Sequence, residues 1–329
     1  MSGKQKSFLG PLVFLAVLVL LSVFADFFAP YPHSEENRRQ PYHPPVKIHA
    51  SFEKGHFLPK FFLHPTVMTF DENYRRIYQE DKSRRCEIHL GSTRLISVDP
   101  PAHFYLIGSD ARGRDLFSRL LYGARISLSI GILGAFLSAF LGFFVGGLSG
   151  YYGGKIDFVI MRLAEFFIMI PGFYFLLALR GALPPTLGSY EVYGLTVGIL
   201  SLIGWGAVAR VIRGLAQSLR QNDFIQAARV LGRSDLEILM GHLFPHMLPY
   251  LTVVMSVSIP SFILMESALS LLGLGIQEPE VSWGNLLSDT MSVAHLSLHP
   301  WVLFPGALLV LTAFCFNRLG DGIREEGHL

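Results

Sequence analysis

Charged residues inside long apolar stretches are the first places where this sequence could do chemistry. Arg162 and Glu165 are three residues apart, so they can pair on one face of a helix. Glu266 lies deeper in another apolar stretch and has no obvious partner near it in sequence. Charges that face the interior of a membrane protein often mark the path of a solute. We therefore take all three as candidates for gating or for lining such a path, with a structural role as the alternative for each.

Motifs for enzymatic catalysis are missing from the sequence. The nearest approach to a phosphate-binding loop is Gly153-Gly154-Lys155, but isoleucine follows the lysine and the upstream glycine is absent. No serine–histidine–acid set and no H-E-x-x-H pattern stands out. Several histidines between residues 30 and 120 have spacings that match no set of metal ligands, among them His43, His49, His56, His64, His89 and His103. We therefore predict no catalytic site, no metal and no cofactor bound by this chain.

The composition indicates a membrane protein. Of the 329 residues, 51% are hydrophobic and only 16% are charged, whereas a soluble domain has about a quarter of its residues charged. A net charge of +2 is too small to suggest a nucleic-acid partner. About 20 apolar residues are needed to cross a bilayer. The predicted fold is an all-α polytopic membrane protein with six transmembrane helices at 8–28, 126–148, 157–180, 193–212, 250–274 and 300–318.

The arginines and lysines of the short loops predict the orientation. The loops 149–162 and 213–249 contain them, as does the C-terminal tail, whereas 181–192 and 275–299 contain none. Because positive charge accumulates on the cytoplasmic side, we expect both termini and the loop 213–249 to be cytoplasmic. The predicted domains are 1–29 with the first span, 30–120 outside, 121–325 as a five-helix core, and 326–329 as the tail.

The long loop 30–120 is expected to form a small, partly β domain outside the membrane. Short alternating runs surround Glu53-Lys54-Gly55, which predicts a hairpin. CEIHL and HFYLIG are candidates for further strands. The stretch DENYRRIYQEDKSRR has the composition of a helix or of irregular structure.

A cytoplasmic helix–glycine–helix element is predicted within DFIQAARVLGRSDLEILMGHLFPHMLP, residues 223–249. Asn222 or Asp223 can begin the first helix, which is expected to run to about Leu231. Gly232 stands where a left-handed residue ends a helix. Ser234 then begins a second helix with the capping pattern S-x-x-E, and this helix is expected to end at Pro245. The apolar stripes are Phe224, Ala227, Ala228 and Leu231 in the first helix, and Leu236, Leu239, Met240 and Leu243 in the second. An ordinary interfacial loop remains the alternative.

This element resembles the cytoplasmic "EAA" loop of the permease subunits of bacterial ABC importers, with Gly232 at the family's glycine. Four further stretches are similar to the C-type permease of dipeptide, oligopeptide and nickel importers. They are GSDARGRDLFSRLLYGARISLSIG, YYGGKIDFVIMRLAEFFIMIPGF, ESALSLLGLGIQEPEVSWGNLLSD and HPWVLFPGALLVLTAFCFNRLGDGIRE. The likeness covers residues 105–325 in order, together with the first span. One departure is Gln226, where the family often has glutamate.

The resemblance implies the type I permease fold of ABC importers and an ATP-driven importer, most simply for peptides. The implied partners are a second, B-type permease, two ABC ATPase subunits that carry ATP-Mg, an extracytoplasmic solute-binding protein and the lipid of a bacterial inner membrane. The implied residues for coupling to an ATPase are Asp223, Phe224, Gln226, Ala227, Ala228, Leu231, Gly232 and Asp235. An ABC permease for a nickel chelate or another small solute, an ion-coupled secondary carrier and a non-transporting scaffold are the alternatives.

Overall fold

The computed structural model describes residues 5–51, 60–184 and 186–326. They form two compact units. The first, here called the helical unit, comprises Met1–Ala16, Ser127–Ile276 and Leu309–Leu329. The second, here called the mixed unit, comprises Val17–Ile126 and Gln277–Leu308.

The helices account for most of the described residues. They are α1 Gln5–Val23, α2 Ala25–Phe28, α3 Leu116–Tyr152, α4 Gly154–Met169, α5 Gly172–Ala182, α6 Ser189–Leu219, α7 Asp223–Val230, α8 Asp235–Ile238, α9 Phe244–Leu271, α10 Trp283–Leu286, α11 Val293–Leu298 and α12 Phe304–Glu326. A π-helical turn covers Leu239–Leu243, and 3-10 turns cover Leu287–Met291 and Pro300–Leu303.

Four helical stretches of the described chain are long and apolar enough to cross a membrane. They are Leu116–Tyr152, Ser189–Leu219, Asp235–Leu271 and Pro300–Arg324. Helices α4 and α5 make a fifth if the two are counted as one span, but they are bent by 85° at their junction. In the region of the first predicted span, the apolar helix Leu9–Val23 is shorter than the about 20 residues of a typical crossing. The structure therefore contains four or five such spans, where the sequence predicted six.

The bend between α4 and α5 interrupts the predicted span 157–180. Ile170 is extended, with ψ 124°, and Pro171 precedes the first residue of α5. A proline disfavours the helical conformation of the residue before it, because its ring crowds that residue's backbone. The hydropathy of this stretch is continuous, so that the apolar pattern predicted one straight helix and missed the break.

Helices α3 and α6 approach each other closely at glycines. A methyl group added to Gly142 would lie 2.5 Å from a side-chain carbon of α6, and one at Gly146 would overlap the backbone of Ala209. This contact agrees with the role of small residues in membrane helix packing. Gly194 and Gly198 of α6 differ, because added methyl groups there would meet no described atom within 4 Å.

The described part of the mixed unit contains six short strands, all paired antiparallel. They are β1 His49–Ser51, β2 Lys60–Leu63, β3 Thr66–Phe70, β4 Arg76–Glu80, β5 Cys86–Leu90 and β6 Ile96–Val98. Four of them form a sheet in the order β1-β2-β5-β6, and β3 pairs with β4 in a separate ribbon. Leu63, Cys86, Ala102 and Phe104 form a small buried core beside the four-stranded sheet.

Two predictions for this region were wrong. The stretch DENYRRIYQEDKSRR, expected to be helical or irregular, contains β4, because Asp71 closes a turn by accepting bonds from the amides of Asn73 and Arg75. That turn returns the chain so that Arg76 pairs with Phe70. HFYLIG forms no strand within the described part of the chain, whereas CEIHL is β5 as predicted. The predicted hairpin residues Glu53-Lys54-Gly55 lie outside the described residues.

Candidate functional site

The predicted helix–glycine–helix element is present in the helical unit. Helix α7 runs from Asp223 to Val230, with Asn222 at the N-cap position but without a side-chain bond from it. Ile225 and Ala228 are buried in a cluster with residues of α3, α6 and α9. The element is therefore packed against the long helices by one face, as a short amphipathic helix requires for stability.

Gly232 ends this helix in the left-handed region, with φ +77°. Its amide donates to the carbonyl of Arg229 at 2.9 Å, and the next amide, of Arg233, donates to the carbonyl of Ala228 at 3.1 Å. This is the paired bonding of a glycine helix stop, which satisfies the last carbonyls of the helix. The predicted conformation of Gly232 is confirmed.

The second helix begins as predicted and ends differently. Ser234 Oγ accepts from the amide of Glu237 at 3.3 Å, and Glu237 accepts from the amide of Ser234 at 3.0 Å. The expected end at Pro245 was wrong. The helical path continues from Asp235 through the π turn into α9, so that Asp235–Leu271 is one stretch. In the π turn the amide of Phe244 bonds the carbonyl of Leu239, and Pro245 directly follows it. This change of bonding lets the helical path continue past a residue that has no amide to donate.

Large apolar side chains of the element are uncovered, beside the exposed Asp223, Gln226 and Arg233. Val230 is 88% exposed, Leu231 82%, Leu236 65% and Phe224 40%. Phe224 stacks on His246, with ring centroids 5.3 Å apart. Large exposed apolar patches usually mark a site of interaction. The predicted stripe of the first helix is thus split, since only its Ala228 belongs to the buried face.

The other predicted coupling residues are held in different ways. Asp223 and Ala227 are exposed. Gln226 Nε2 donates to the carbonyl of Arg220 at 2.9 Å, which fastens the start of α7 to the end of α6. Asp235 accepts from the hydroxyl of Tyr151 at 2.6 Å. Gln226, the departure from the family pattern, therefore has a structural bond that a glutamate side chain could not donate.

Tyr151 at the end of α3 anchors the element, and Asp157 at the start of α4 binds α6; sequence reasoning missed both. The guanidinium of Arg229 lies 4.9 Å from the ring centroid of Tyr151. Arg213 of α6 donates to both carboxylate oxygens of Asp157, at 2.5 and 2.6 Å, a bidentate pair. Tyr151 and Asp157 flank the pair Gly153-Gly154, and both glycines have positive φ. The glycine pair between a tyrosine and an aspartate was the sequence signal that could have identified these two residues.

Glu266 lies in α9 and is 1% exposed. It accepts bonds from Ser127 Oγ at 3.2 Å and from Ser270 Oγ at 2.6 Å, and Ser267 Oγ lies 3.4 Å away. The expectation that Glu266 lacks a nearby partner was wrong, because two serines of its own helix and one of α3 surround it. The carboxyl group therefore links α3 to α9, and its place on a solute path stays a prediction.

Replacing Glu266 by alanine is expected to destabilise the helical unit by about 1–3 kcal/mol, because the hydroxyl donors around it lose their acceptor inside the protein. Glu266→Gln keeps an acceptor oxygen and a similar volume, so we expect a smaller loss. Thermal unfolding of the purified chain in detergent measures both. Equal losses for the two variants would contradict the link between α3 and α9.

Arg162 and Glu165 form the predicted i, i+3 pair, with 2.8 Å between Nη1 and Oε2. Their side chains are 69% and 41% exposed, so the pair lies on the surface of the isolated chain. Exposed ion pairs contribute little to stability, typically about 0–1 kcal/mol. The pairing is confirmed, and a role in gating stays a prediction.

An ionic cluster in the mixed unit was also missed. Asp110 accepts from Arg114 Nε at 2.7 Å and also from Arg119. Glu278 lies 2.7 Å from Arg114 and 2.5 Å from Arg112. Carboxylates of this chain therefore already pair with these arginines. Asp110, Arg114 and Arg119 are all at most 9% exposed, so the cluster is a buried structural feature of this unit.

Burial raises the pKa of Asp115, which precedes α3 in the mixed unit, to about 7. Its carboxyl accepts from both the amide and the hydroxyl of Ser118. Because the pKa of Asp115 in the folded chain lies above the ordinary 3.8, the folded chain binds more protons at this group than the unfolded chain does. This group's contribution to stability is complete below that ordinary value and is lost as the pH rises through the folded pKa.

We therefore expect the thermal midpoint of the wild-type chain to fall, relative to that of Asp115→Asn, as the pH rises from about 4 to about 7. Asp115→Asn keeps the acceptor for Ser118 and cannot titrate. The comparison cancels the opposite effect of His43, whose pKa burial lowers to about 4 and whose contribution to stability rises with pH over this range. Unfolding curves of both proteins across this range make the comparison. Identical pH profiles would show that Asp115 is not the responsible group.

Comparison with known proteins agrees with a chain of several apolar helices. Residues 138–325 match the family described as "Binding-protein-dependent transport system inner membrane component". Residues 4–45 match "N-terminal TM domain of oligopeptide transport permease C". The chain therefore belongs to the family of inner membrane components of binding-protein-dependent transport systems.

Relatives of known type support this membership. The oligopeptide transport system permease protein OppC of Haemophilus influenzae is 42% identical over 223 residues, which are 68% of this chain and 69% of that protein. OppC of Escherichia coli K12 is 42% identical over 224 residues, 68% and 71% of the two chains. The dipeptide transport system permease protein DppC of Bacillus subtilis is 36% identical over 227 residues, 69% of each. The resemblance to C-type permeases is confirmed.

Among solved structures, an inward-facing form of the MetNI methionine ABC transporter is similar, with a TM-score of 0.43 and 16% identity. The similarity covers 63% of this chain and 97% of that one.

Proposed function

We propose that this chain is a permease subunit of an ATP-driven importer of peptides and forms half of the translocation path. The observation that carries the proposal is the anchored element at residues 223–238. Its inner face is packed into the helical unit through Ile225 and Ala228, while Val230 and Leu231 are left uncovered. A rigid element with uncovered apolar side chains is suited to receive force from another protein. The names of the OppC and DppC relatives supply peptides as the solute class.

The proposed assembly contains this chain, a second B-type permease, two ABC ATPases and an extracytoplasmic solute-binding protein. This chain is not an enzyme, and ATP-Mg is bound and hydrolysed on the ATPases. Closure of the two ATPases would push on Asp223, Phe224, Ala227, Leu231 and Gly232. Gln226, Ala228 and Asp235 would pass that force to the long helices through the contacts described above.

The proposed topology has six spans, with α1 as the first, the bent pair α4–α5 as the third, and both termini in the cytoplasm of a bacterial inner membrane. The positive charge of the loops 149–162 and 213–249 supports this orientation. The strands of the mixed unit would then lie outside. Glycines 194 and 198 of α6 leave a surface without bulk, which is suited to close approach by the second permease.

Uptake into reconstituted vesicles tests the proposal. The permease pair is inserted with its ATPases, and a labelled di- or oligopeptide is supplied with its binding protein on the outside. We expect uptake that requires ATP and stops with vanadate. Uptake driven by an ion gradient without the ATPases would contradict the proposal, and uptake of a nickel chelate but of no peptide would replace the solute class.

A further inference from the structure

A cavity of about 500 Å³ lies beside α7 in the helical unit. Two arginines, Arg220 at the end of α6 and Arg229 near the end of α7, line it together with Tyr151, Gln226 and Asp235. The cavity is thus built from the same residues that anchor the proposed coupling element. Its lining is polar, whereas Val230 and Leu231 beside it are apolar and exposed.

The two arginines of this cavity lack carboxylate partners among the described residues. Arg220 donates to the main-chain carbonyls of Gly150, at 3.4 Å, and of Tyr151, at 3.1 Å. Arg229 donates to the hydroxyl of Tyr151 at 3.3 Å and lies over its ring. All of these acceptors are neutral. Asp235 attracts Arg229, and Asp157 attracts Arg220, but neither carboxylate forms a direct ion pair with these guanidinium groups among the described residues.

Only one carboxylate lines the cavity among the described residues. It belongs to Asp235, which already accepts from the hydroxyl of Tyr151 at 2.6 Å. Two positive groups and one negative group leave the cavity with a net positive charge. Guanidinium groups in partly enclosed sites bind carboxylates with two parallel hydrogen bonds, which are stronger than bonds between neutral groups.

We propose that this cavity receives an aspartate or glutamate side chain of the ATPase subunit, so that the carboxylate lies between Arg220 and Arg229. The proposal rests on the proposed function, since it adds a specific contact to the coupling element. A bound carboxylate would connect the last turn of α7 to the end of α6. Through the carbonyls of Gly150 and Tyr151, it would also connect to the end of α3.

The exposed apolar residues that border the cavity favour a protein carboxylate over a lipid headgroup as its occupant. Val230 and Leu231 directly follow Arg229 and are 88% and 82% exposed. An apolar centre with arginine anchors is the composition of a protein interface. One protein partner can cover these apolar side chains and fill the cavity at the same time.

The test uses the complete permease pair in nanodiscs of phosphatidylcholine and measures the affinity of the purified ATPases. The double variant Arg220→Glu with Arg229→Glu is expected to weaken binding by at least about tenfold, since it repels the incoming carboxylate. Arg220→Gln with Arg229→Gln, which only removes charge, is expected to weaken it less and to reduce its salt dependence. Arg324→Glu, an exposed arginine outside the cavity, is the matched control and is expected to change affinity less than about twofold.

Wild-type affinity in both double variants would overturn the proposal. An affinity loss that appears only after anionic phosphatidylglycerol is added would assign the cavity to a lipid headgroup and overturn it as well. Restoration of binding to the Arg229→Glu variant by an acid-to-lysine change on the ATPase would support it directly. Peptide uptake by the wild-type complex is measured in parallel. If that uptake needs the ATPases and the variants bind normally, this inference fails while the proposed function stands.

Discussion

Replacing Gly232 by valine is expected to reduce ATP-dependent uptake at least about tenfold while the chain remains folded in the membrane. Gly232 has φ +77°, and a methyl group added there would meet no described atom within 4 Å. The effect therefore comes from the backbone alone. A β-branched residue in the left-handed region is strained by about 1–3 kcal/mol. The turn between α7 and α8 would change to relieve the strain, which moves the face offered to the ATPase.

A series of substitutions separates the backbone effect from other causes. Asparagine tolerates the left-handed region better than alanine, and alanine better than valine, so uptake should fall in that order. Gly214→Val is the matched control, because Gly214 in α6 also has free space around it but has no positive φ. The readouts are uptake and ATP hydrolysis by the reconstituted complex. ATP hydrolysis that continues while uptake is lost would identify uncoupling. Normal uptake by Gly232→Val would contradict the proposed role of residues 223–238 in coupling.

Replacing Asp110 by alanine is expected to destabilise the mixed unit by about 3–5 kcal/mol, because it leaves buried arginines without their shared carboxylate. Arg114 and Arg119 are 9% and 4% exposed, and both bond Asp110. Asp110 also accepts from the amides of Arg112 and Arg114, so its loss opens the turn before α3. A change of this size is a large fraction of the stability of an ordinary domain.

Thermal unfolding and the yield of purified protein measure this loss. Glu165→Ala is the control, because it removes a carboxylate from an arginine pair on the surface, where the expected cost is below about 1 kcal/mol. Asp110→Asn keeps one acceptor for the backbone amides, so its loss of stability should lie between those of Asp110→Ala and Glu165→Ala. If Asp110→Ala and Glu165→Ala lower the midpoint equally, the cluster does not stabilise the unit.

Features set by local rules could be predicted from the sequence. The start and stop of the helices around Gly232 follow from capping chemistry, in which a few adjacent residues decide the conformation. The bonds of Ser234 and Glu237 confirm one such pattern, and the pairing of Arg162 with Glu165 confirms another. The four apolar stretches that can cross a membrane follow equally from length and composition.

Features that depend on distant partners could not be predicted. Asp157 binds Arg213 and Tyr151 binds Asp235, contacts that join residues 56 and 84 positions apart. No local pattern specifies which of many charged residues will meet. Glu266 shows the same limit, since the serine of α3 that bonds it is 139 positions away. The prediction that the second helix ends at Pro245 was wrong for another reason. Proline stops a helix only where its missing amide or its ring interferes with the helix.

The most direct test of the account is a photo-reactive amino acid placed at Ala227, which is exposed on α7. In the assembled complex in native membranes, we expect irradiation to link this position to an ABC ATPase subunit, with a yield that changes when ATP is bound. A membrane-impermeant probe added outside the cell should not reach it. Labelling from the outside, or efficient crosslinking to lipid alone in the presence of the ATPases, would contradict a cytoplasmic coupling element.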